Sequence, residues 1–347
     1  MLINKEEFNI RKRISISNEF DLVRIILAYC VVLQHSSTIL DTPQILNIQS
    51  IPAVPIFLFI SGFLVSESLL FSSSIFVYFQ KRLKRILPGY IFVVFCGGTI
   101  LFINNILFDT KNGQNLISLI KYFFYNLIFL NFKFPCLNNI KPNLEQINCA
   151  VNGSLWTIKF ELIFYFLLPL IFFVLKRIRI RPFLFIFLNL LFLTLNKYIS
   201  IYFLIFCCFI TGASFYLISD NLEKIYKSIK IKSIIRSFLV FFVIILSGGI
   251  LPLFIIFPML LFCCFIPTEN VNKDFKIFKY GDLSYGIYLL HYPIIKIIEP
   301  SLNYLKIPYY ILPFLVIGLS SIGAFYLYWK LERKFLDKNS HSYKLLN

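Results

Sequence analysis

Ten apolar stretches divide this 347-residue chain, and they constrain its fold more than any other feature. A membrane-spanning helix needs about 20 mostly apolar residues, because the hydrocarbon core offers no partner to an exposed backbone amide. The stretches run roughly over residues 20–41, 52–72, 86–107, 154–175, 182–196, 198–218, 236–250, 251–267, 282–300 and 308–329, each bounded by charged or turn-forming residues. Residues 115–131 are apolar enough to mimic an eleventh. Counting them would invert every later span, so they read as an interfacial or loop helix. Composition agrees: the chain is 58% hydrophobic and 15% charged, whereas a water-soluble domain keeps about a quarter of its residues charged. The expected fold is an all-α integral membrane protein with about ten transmembrane helices.

The formal charge of +17 would suggest nucleic acid in a soluble protein, but no stretch is polar enough to build a water-exposed basic face. Its distribution is the informative quantity, since cytoplasmic loops carry the Lys/Arg excess. With the N-terminus inside, inner segments hold Lys5, Arg11, Lys12 and Arg13, then Lys81, Arg82, Lys84 and Arg85, then Lys176, Arg177, Arg179 and Arg181. Further groups follow at 224–236, 273–279 and 330–344. In all, 25 of the 34 basic residues fall inside and 6 outside, with Arg24, Lys159 and Lys296 within spans. Both termini are therefore expected in the cytoplasm. Residues 1–19 form a cytoplasmic segment, 108–153 an outer loop and 330–347 a cytoplasmic tail. The first apolar stretch is too long for a signal peptide and lacks a small-residue cleavage site, so it reads as a span. No internal repeat or linker divides the chain, and residues 1–347 read as one multi-pass domain of the cell (inner) membrane.

Six of the eight cysteines (Cys30, Cys96, Cys207, Cys208, Cys263 and Cys264) lie in apolar spans and read as small buried hydrophobes. Cys136 and Cys149 share the outer loop. On an oxidising side they can form a disulfide, although spacing alone does not establish the geometry. No Cys/His cluster has metal-ligand spacing, so no metal is expected.

Ionisable groups within spans cost a few kcal/mol each to insert, which makes each a functional candidate. They are Asp21, Arg24, His35, Glu67, Lys159, Glu161, His291, Lys296 and Glu299. Those near span ends can simply snorkel or pair; Asp21 and Arg24, three residues apart, are helical neighbours. Arg24 and His35 are eleven apart, about three helical turns, and share a face with about 16 Å between them along the axis. Arg24 then lies near the cytoplasmic surface and His35 near the outer one. Glu161, about 10 Å into a span that enters from outside, reaches a depth similar to that of His35. A carboxylate beside an imidazole raises its basicity and fixes its tautomer, as a general base or nucleophile requires; a buried polar pair joining two helices is the plainer alternative. The inner loop YFQKRLKRILPGY places Arg82 and Arg85 on one helical face. Such loops often mark topology or touch lipid headgroups, yet Arg is also suited to bidentate phosphate binding.

Five ordered segments resemble the bacterial integral-membrane acyltransferase family 3, whose members acylate surface carbohydrates. FDLVRIILAYCVVLQH carries Arg24 and His35, and VPIFLFISGFL carries Ser61 and Gly62. KRLKRILPGY supplies the RxxR pattern as Arg82 and Arg85, and GSLWTIKFELIFYFLLP supplies Trp156 and Glu161. LSYGIYLLHYPII supplies Ser284, Tyr285, His291 and Pro293. Lys159 and Tyr292 depart from the family's usual residues, which bears on acceptor preference.

The resemblance implies a ten-helix bundle of the branch without a fused outer domain, a cytoplasmic acyl-CoA donor, usually acetyl-CoA, and a glycan hydroxyl as acceptor. No cofactor is expected to be bound permanently. Arg24, Arg82 and Arg85 would hold the CoA phosphates while the pantetheine arm, about 16 to 20 Å when extended, reaches His35. His35 would deprotonate the acceptor or carry the acyl group, with Glu161 orienting it. Trp156, Ser61, Tyr285 and His291 would line the substrate path, although Gly62 fits a helix-packing contact equally well. The expected partners are acyl-CoA, a glycan or lipid-linked glycan and the bilayer. A transporter or flippase of a lipid-linked glycan is the main rival, and it predicts repeats and interrupted helices; acylation of a small sugar wholly at the inner face is another.

Overall fold

Apolar runs of this length in lipid have one economical solution, the α-helix, which satisfies each amide within its own segment. The computed structural model describes residues 19–42, 48–107, 116–137, 149–178, 186, 200–218, 231–248, 253–265, 268–269, 282–299 and 308–335. Its principal helices are α1 (Glu19–Ile39), α2 (Ala53–Leu70), α3 (Ile75–Leu107), α4 (Leu116–Leu127), α5 (Trp156–Ile178) and α6 (Ile201–Leu217). They continue with α7 (Ser233–Leu246), α8 (Leu253–Phe265), α9 (Ser284–Ile298) and α10 (Leu312–Leu327), the last extended by a π-helical turn at Tyr328–Glu332. Ile231–Lys232 pairs in parallel with Thr268–Glu269 over two residues.

Among the described residues, five segments are long and apolar enough to cross a membrane: Phe20–Ile39, Ala53–Leu70, Ile75–Ile103, Trp156–Val174 and Leu312–Phe335. Helices also occupy the expected spans at 198–218, 236–250, 251–267 and 282–300 over shorter lengths. The stretch 182–196 lies, apart from residue 186, outside the described residues. The described part of helix α4, twelve residues, is about 18 Å long.

One expectation is corrected. The basic segment at 81–90 is not a loop but part of α3, which starts at Ile75 and runs 33 residues. The connection from α2 is confined to residues 71–74, and Ser74 ends it as an N-cap, its Oγ accepting from the Val77 amide at 3.2 Å. Nothing between Ile75 and Pro88 breaks a helix, and at about 50 Å α3 is longer than the hydrocarbon core, so its cationic turns need not enter lipid.

The chain gathers into two compact units, each built from separated segments. The first comprises residues 1–27, 47–82 and 161–279. Its centre is the crossing of α2 and α6, where two glycines face each other's backbone. A Cβ on Gly62 would lie 2.0 Å from the Phe209 carbonyl oxygen, and one on Gly212 would lie 1.9 Å from that of Phe59. Only glycine permits this approach, the small-residue packing that replaces hydrophobic driving force between helices in lipid. Phe59 then stacks on Phe257 at 4.0 Å between centroids. Outward faces are apolar, as with Phe166 and Leu170 on α5 and Phe238 on α7, which suits contact with acyl chains rather than water.

The second unit comprises residues 28–46, 83–160 and 280–347. Here α4 is inverted relative to a soluble helix: Leu116, Ile117, Ile120 and Phe124 face outward while Ser118, Tyr122 and Asn126 are buried. Asn126 bonds the Tyr122 and Phe134 carbonyls at 2.8 and 3.1 Å, and Tyr90 donates to the Asn126 carbonyl at 2.6 Å. The buried Tyr122 hydroxyl has no hydrogen-bond partner, and burial pushes its ionisation well above the ordinary phenol value. Cys136 and Cys149 form a disulfide, with Cα atoms 5.3 Å apart, and Cys136 pairs with Ala150 in a β-bridge. The expected outer loop is thus stapled across residues that include an undescribed stretch, 138–148.

Candidate functional site

Two helices reach their polar groups through a proline. Pro293 lies inside α9 and Pro169 inside α5; each lacks the N–H that would bond the carbonyl four residues earlier. In the second unit, Asn152 Nδ2 donates to the Leu289 carbonyl at 2.8 Å. In the first, Tyr78 donates to the Tyr165 carbonyl at 3.0 Å. Both freed acceptors are satisfied from another helix or loop, so both helices stay ordered beside the candidate groups.

In the second unit the candidate base is His35 on α1. Its Nδ1 lies 2.7 Å from Nε2 of His291 on α9. The ring planes are within 8° of each other with centroids 5.0 Å apart, so the hydrogen bond lies along the shared plane rather than across a face-to-face stack. His291 is fully buried, and its Nδ1 is 3.3 Å from the Ile287 carbonyl. Tyr292 stands edge-on to His35 at 5.4 Å and 78°. It fits there because residue 153 is glycine: a Cβ at Gly153 would lie 2.6 Å from the Tyr292 ring. Thr157 and Tyr288 share a hydrogen bond of 2.8 Å in the same neighbourhood.

In the first unit Glu161 Oε1 accepts from Ser61 Oγ at 3.2 Å and from the Tyr165 hydroxyl in a short hydrogen bond. The sequence puts Glu161 and His35 at a similar depth in their spans. In the structure, the hydrogen-bond partner of His35 is His291 and those of Glu161 are Ser61 and Tyr165. Tyr165 is four residues after Glu161, on the same face of α5. Ser61 is thus a partner of Glu161, and its neighbour Gly62 is a packing contact.

Arg85 is held by two buried carboxylates, Asp282 at 2.7 Å and Glu332 at 3.3 Å, with Arg85 15%, Asp282 4% and Glu332 2% exposed. Its guanidinium lies 5.7 Å from the Tyr285 ring centroid, and Tyr285 itself donates to the Ile86 carbonyl at 2.7 Å. Asp282 Oδ1 also accepts from the Ser284 amide at 3.0 Å at the start of α9. Arg85, expected from the sequence at the CoA phosphates, thus has two carboxylate partners in the structure. Arg82, three residues earlier on α3, differs: its buried Nε has no hydrogen-bond partner. Arg24 lies in α1 near its N-terminal end, and Trp156 opens α5, its ring edge-on to Phe160 at 5.9 Å.

Asp282, Glu332, Tyr165 and Asn152 were not singled out from the sequence. Tyr165 carries a readable signal in its four-residue spacing from Glu161, and Asp282 in its place just before a helix. Glu332 carries none, because it is separated from Arg85 by 247 residues.

Residues 17–330 match the sequence model of a family described as an acyltransferase domain. Over 172 residues, 44% of the chain, the sequence is 30% identical to nodulation protein 10 of Rhizobium leguminosarum bv. viciae, covering 44% of that protein. Over 157 residues, 43% of the chain, it is 25% identical to an O-acetyl transferase of Shigella phage Sf6, covering 44% of that protein. The chain thus spans less than half the length of these curated relatives. No solved structure matches.

Proposed function

The chain belongs to the acyltransferase-domain family, and from that premise we propose that it is a membrane-bound O-acyltransferase. It moves an acyl group, acetyl above all, from cytoplasmic acyl-CoA to a hydroxyl of a cell-surface polysaccharide or its lipid-linked precursor. The observation that carries this reading is His35: an imidazole on a membrane-length helix, hydrogen-bonded by a second buried imidazole and placed eleven residues from Arg24. Likeness to an O-acetyl transferase supports the acetyl group.

In this reading the enzyme has about ten spans with both termini in the cytoplasm of a cell whose inner membrane it crosses. The asymmetry of its basic residues supports that orientation. Arg24 and Arg82 attract the CoA phosphates, and the unpartnered Nε of Arg82 supports its share; Arg85, tied to Asp282 and Glu332, anchors the helix that carries Arg82. Trp156 and Tyr285 remain substrate-path residues of the proposal. Glu161 contributes as an intramembrane carboxylate held by Ser61 and Tyr165.

The chemistry balances without a resident cofactor. His35 removes the proton from the acceptor hydroxyl as that oxygen attacks the thioester carbonyl. The carbon–sulfur bond then breaks, and the CoA thiolate takes the proton from His35, leaving ester, CoA thiol and neutral imidazole.

The test is incubation of membranes containing the chain with radiolabelled acetyl-CoA, following label into glycan. The wild type transfers label and His35→Ala does not, although both insert equally. Label confined to acetyl-CoA in the wild type would overturn the acyltransferase reading in favour of transport, and near-normal transfer by His35→Ala would overturn the assignment of the base.

A further inference from the structure

We propose that His291 is a positioning residue that fixes the tautomer of His35, placing the proton of His35 on Nδ1 and leaving its Nε2 lone pair as the reactive one. This rests on the assignment of His35 as the base.

The polarity of the hydrogen-bond chain is fixed at one end. The Ile287 carbonyl can only accept, so His291 Nδ1, 3.3 Å away, carries a hydrogen. A neutral imidazole has one N–H, so His291 Nε2 presents a lone pair. Its partner at 2.7 Å, His35 Nδ1, must then donate. The single hydrogen of neutral His35 is spent in that bond, and Nε2 is bare. This is the opposite of the tautomer a histidine side chain favours in water, and the hydrogen bond made by one ring nitrogen is what selects the state of the other.

The surroundings hold the arrangement. Near-coplanarity, 8° between rings, aligns N–H and lone pair, and both imidazoles are further confined by Tyr292, which stands edge-on to His35. Ile287 lies in the helical turn that precedes His291 on α9, and Asn152 secures the next turn by satisfying the Leu289 carbonyl. His291 is 0% exposed, and both its ring nitrogens have protein neighbours.

During transfer, Nε2 of His35 takes the hydroxyl proton while the Nδ1 hydrogen stays bonded to His291. The imidazolium so formed keeps its orientation and returns the Nε2 proton to the leaving thiolate. His291 touches no reacting atom; it decides which nitrogen of His35 is able to act.

The chain has three histidines, His35, His291 and His341, so nitrogen-15 spectra of the histidine-labelled full-length protein in detergent can be assigned with His35→Ala and His291→Gln. The expected spectrum has neutral His35 protonated on Nδ1; protonation on Nε2 overturns the proposal. Kinetics give a second reading. In His291→Gln the amide oxygen can accept from His35, so kcat stays within about tenfold of wild type, whereas His291→Leu offers no acceptor and lowers kcat by about 10²- to 10⁴-fold, the range for a general base, with KM for acyl-CoA unchanged. Equal losses in both variants, wild-type kcat in His291→Leu, or a loss confined to KM each overturn it. If His35→Ala stays active the base assignment falls, while the spectrum still decides whether His291 fixes the tautomer.

Discussion

Asn152 donates from Nδ2 to the Leu289 carbonyl at 2.8 Å, the acceptor that Pro293 leaves without its backbone donor. One residue supplies in side-chain form what the other removes from the main chain. Replacing Asn152 by Ala leaves that buried carbonyl unpaired and is expected to destabilise the protein by about 1–3 kcal/mol. In a Pro293→Ala background the backbone N–H returns, so the same change should cost much less. Thermal unfolding in detergent of the two single variants and the double variant measures the coupling; additive effects would mean that the two residues do not share this carbonyl.

Arg82 and Arg85 should part company on substitution. Arg85→Ala strands two carboxylates that are 4% and 2% exposed, and losing one partner of a buried ion pair costs about 3–5 kcal/mol. Adding Glu332→Gln should recover part of the loss. Arg82→Ala should leave the melting temperature in place and raise KM for acyl-CoA. Melting curves beside KM measurements separate the two; a shared phenotype would return Arg85 to the phosphate site.

The glycine crossing yields a graded series. Gly62→Ala and Gly212→Ala each place a methyl within about 2 Å of a carbonyl oxygen, far inside van der Waals contact, and are expected to abolish accumulation of folded protein. Gly318→Ala meets nothing within 4 Å and should be neutral or slightly stabilising in its helix. Fluorescence-detected size-exclusion profiles of the three variants report the outcome.

Cys136 and Cys149 close a 13-residue separation. By the chain-entropy account, removing such a cross-link costs about 3 kcal/mol. The pair should resist thiol labelling in intact cells until a reductant is added, and Cys136→Ser with Cys149→Ser should lower the melting temperature. Immediate labelling without reductant would contradict the bond.

Much of this was legible because the bilayer simplifies the code. The run at 20–41 reads as a helix since lipid leaves an apolar segment no alternative, and the structure places α1 over Glu19–Ile39. The basic segment at 81–85 misled for a related reason: its charges mark a membrane face, and a face is not the same thing as a loop. The imidazole pair lay beyond reach for a different reason. His35 and His291 are 256 residues apart, and no local pattern states that one ring will meet the other. Glu161, whose partner Tyr165 is four residues away, was the more readable half.

The reciprocal contact of Gly62 and Gly212 also has a genetic consequence. Most core substitutions can be relieved by shrinking the side chain they strike, so suppressors arise at the neighbouring position. Here each glycine is opposed by main chain, which no codon change can trim. Revertants of either substitution should therefore restore the glycine itself, and a selection for regained function at these two positions should return true reversion rather than second-site repair.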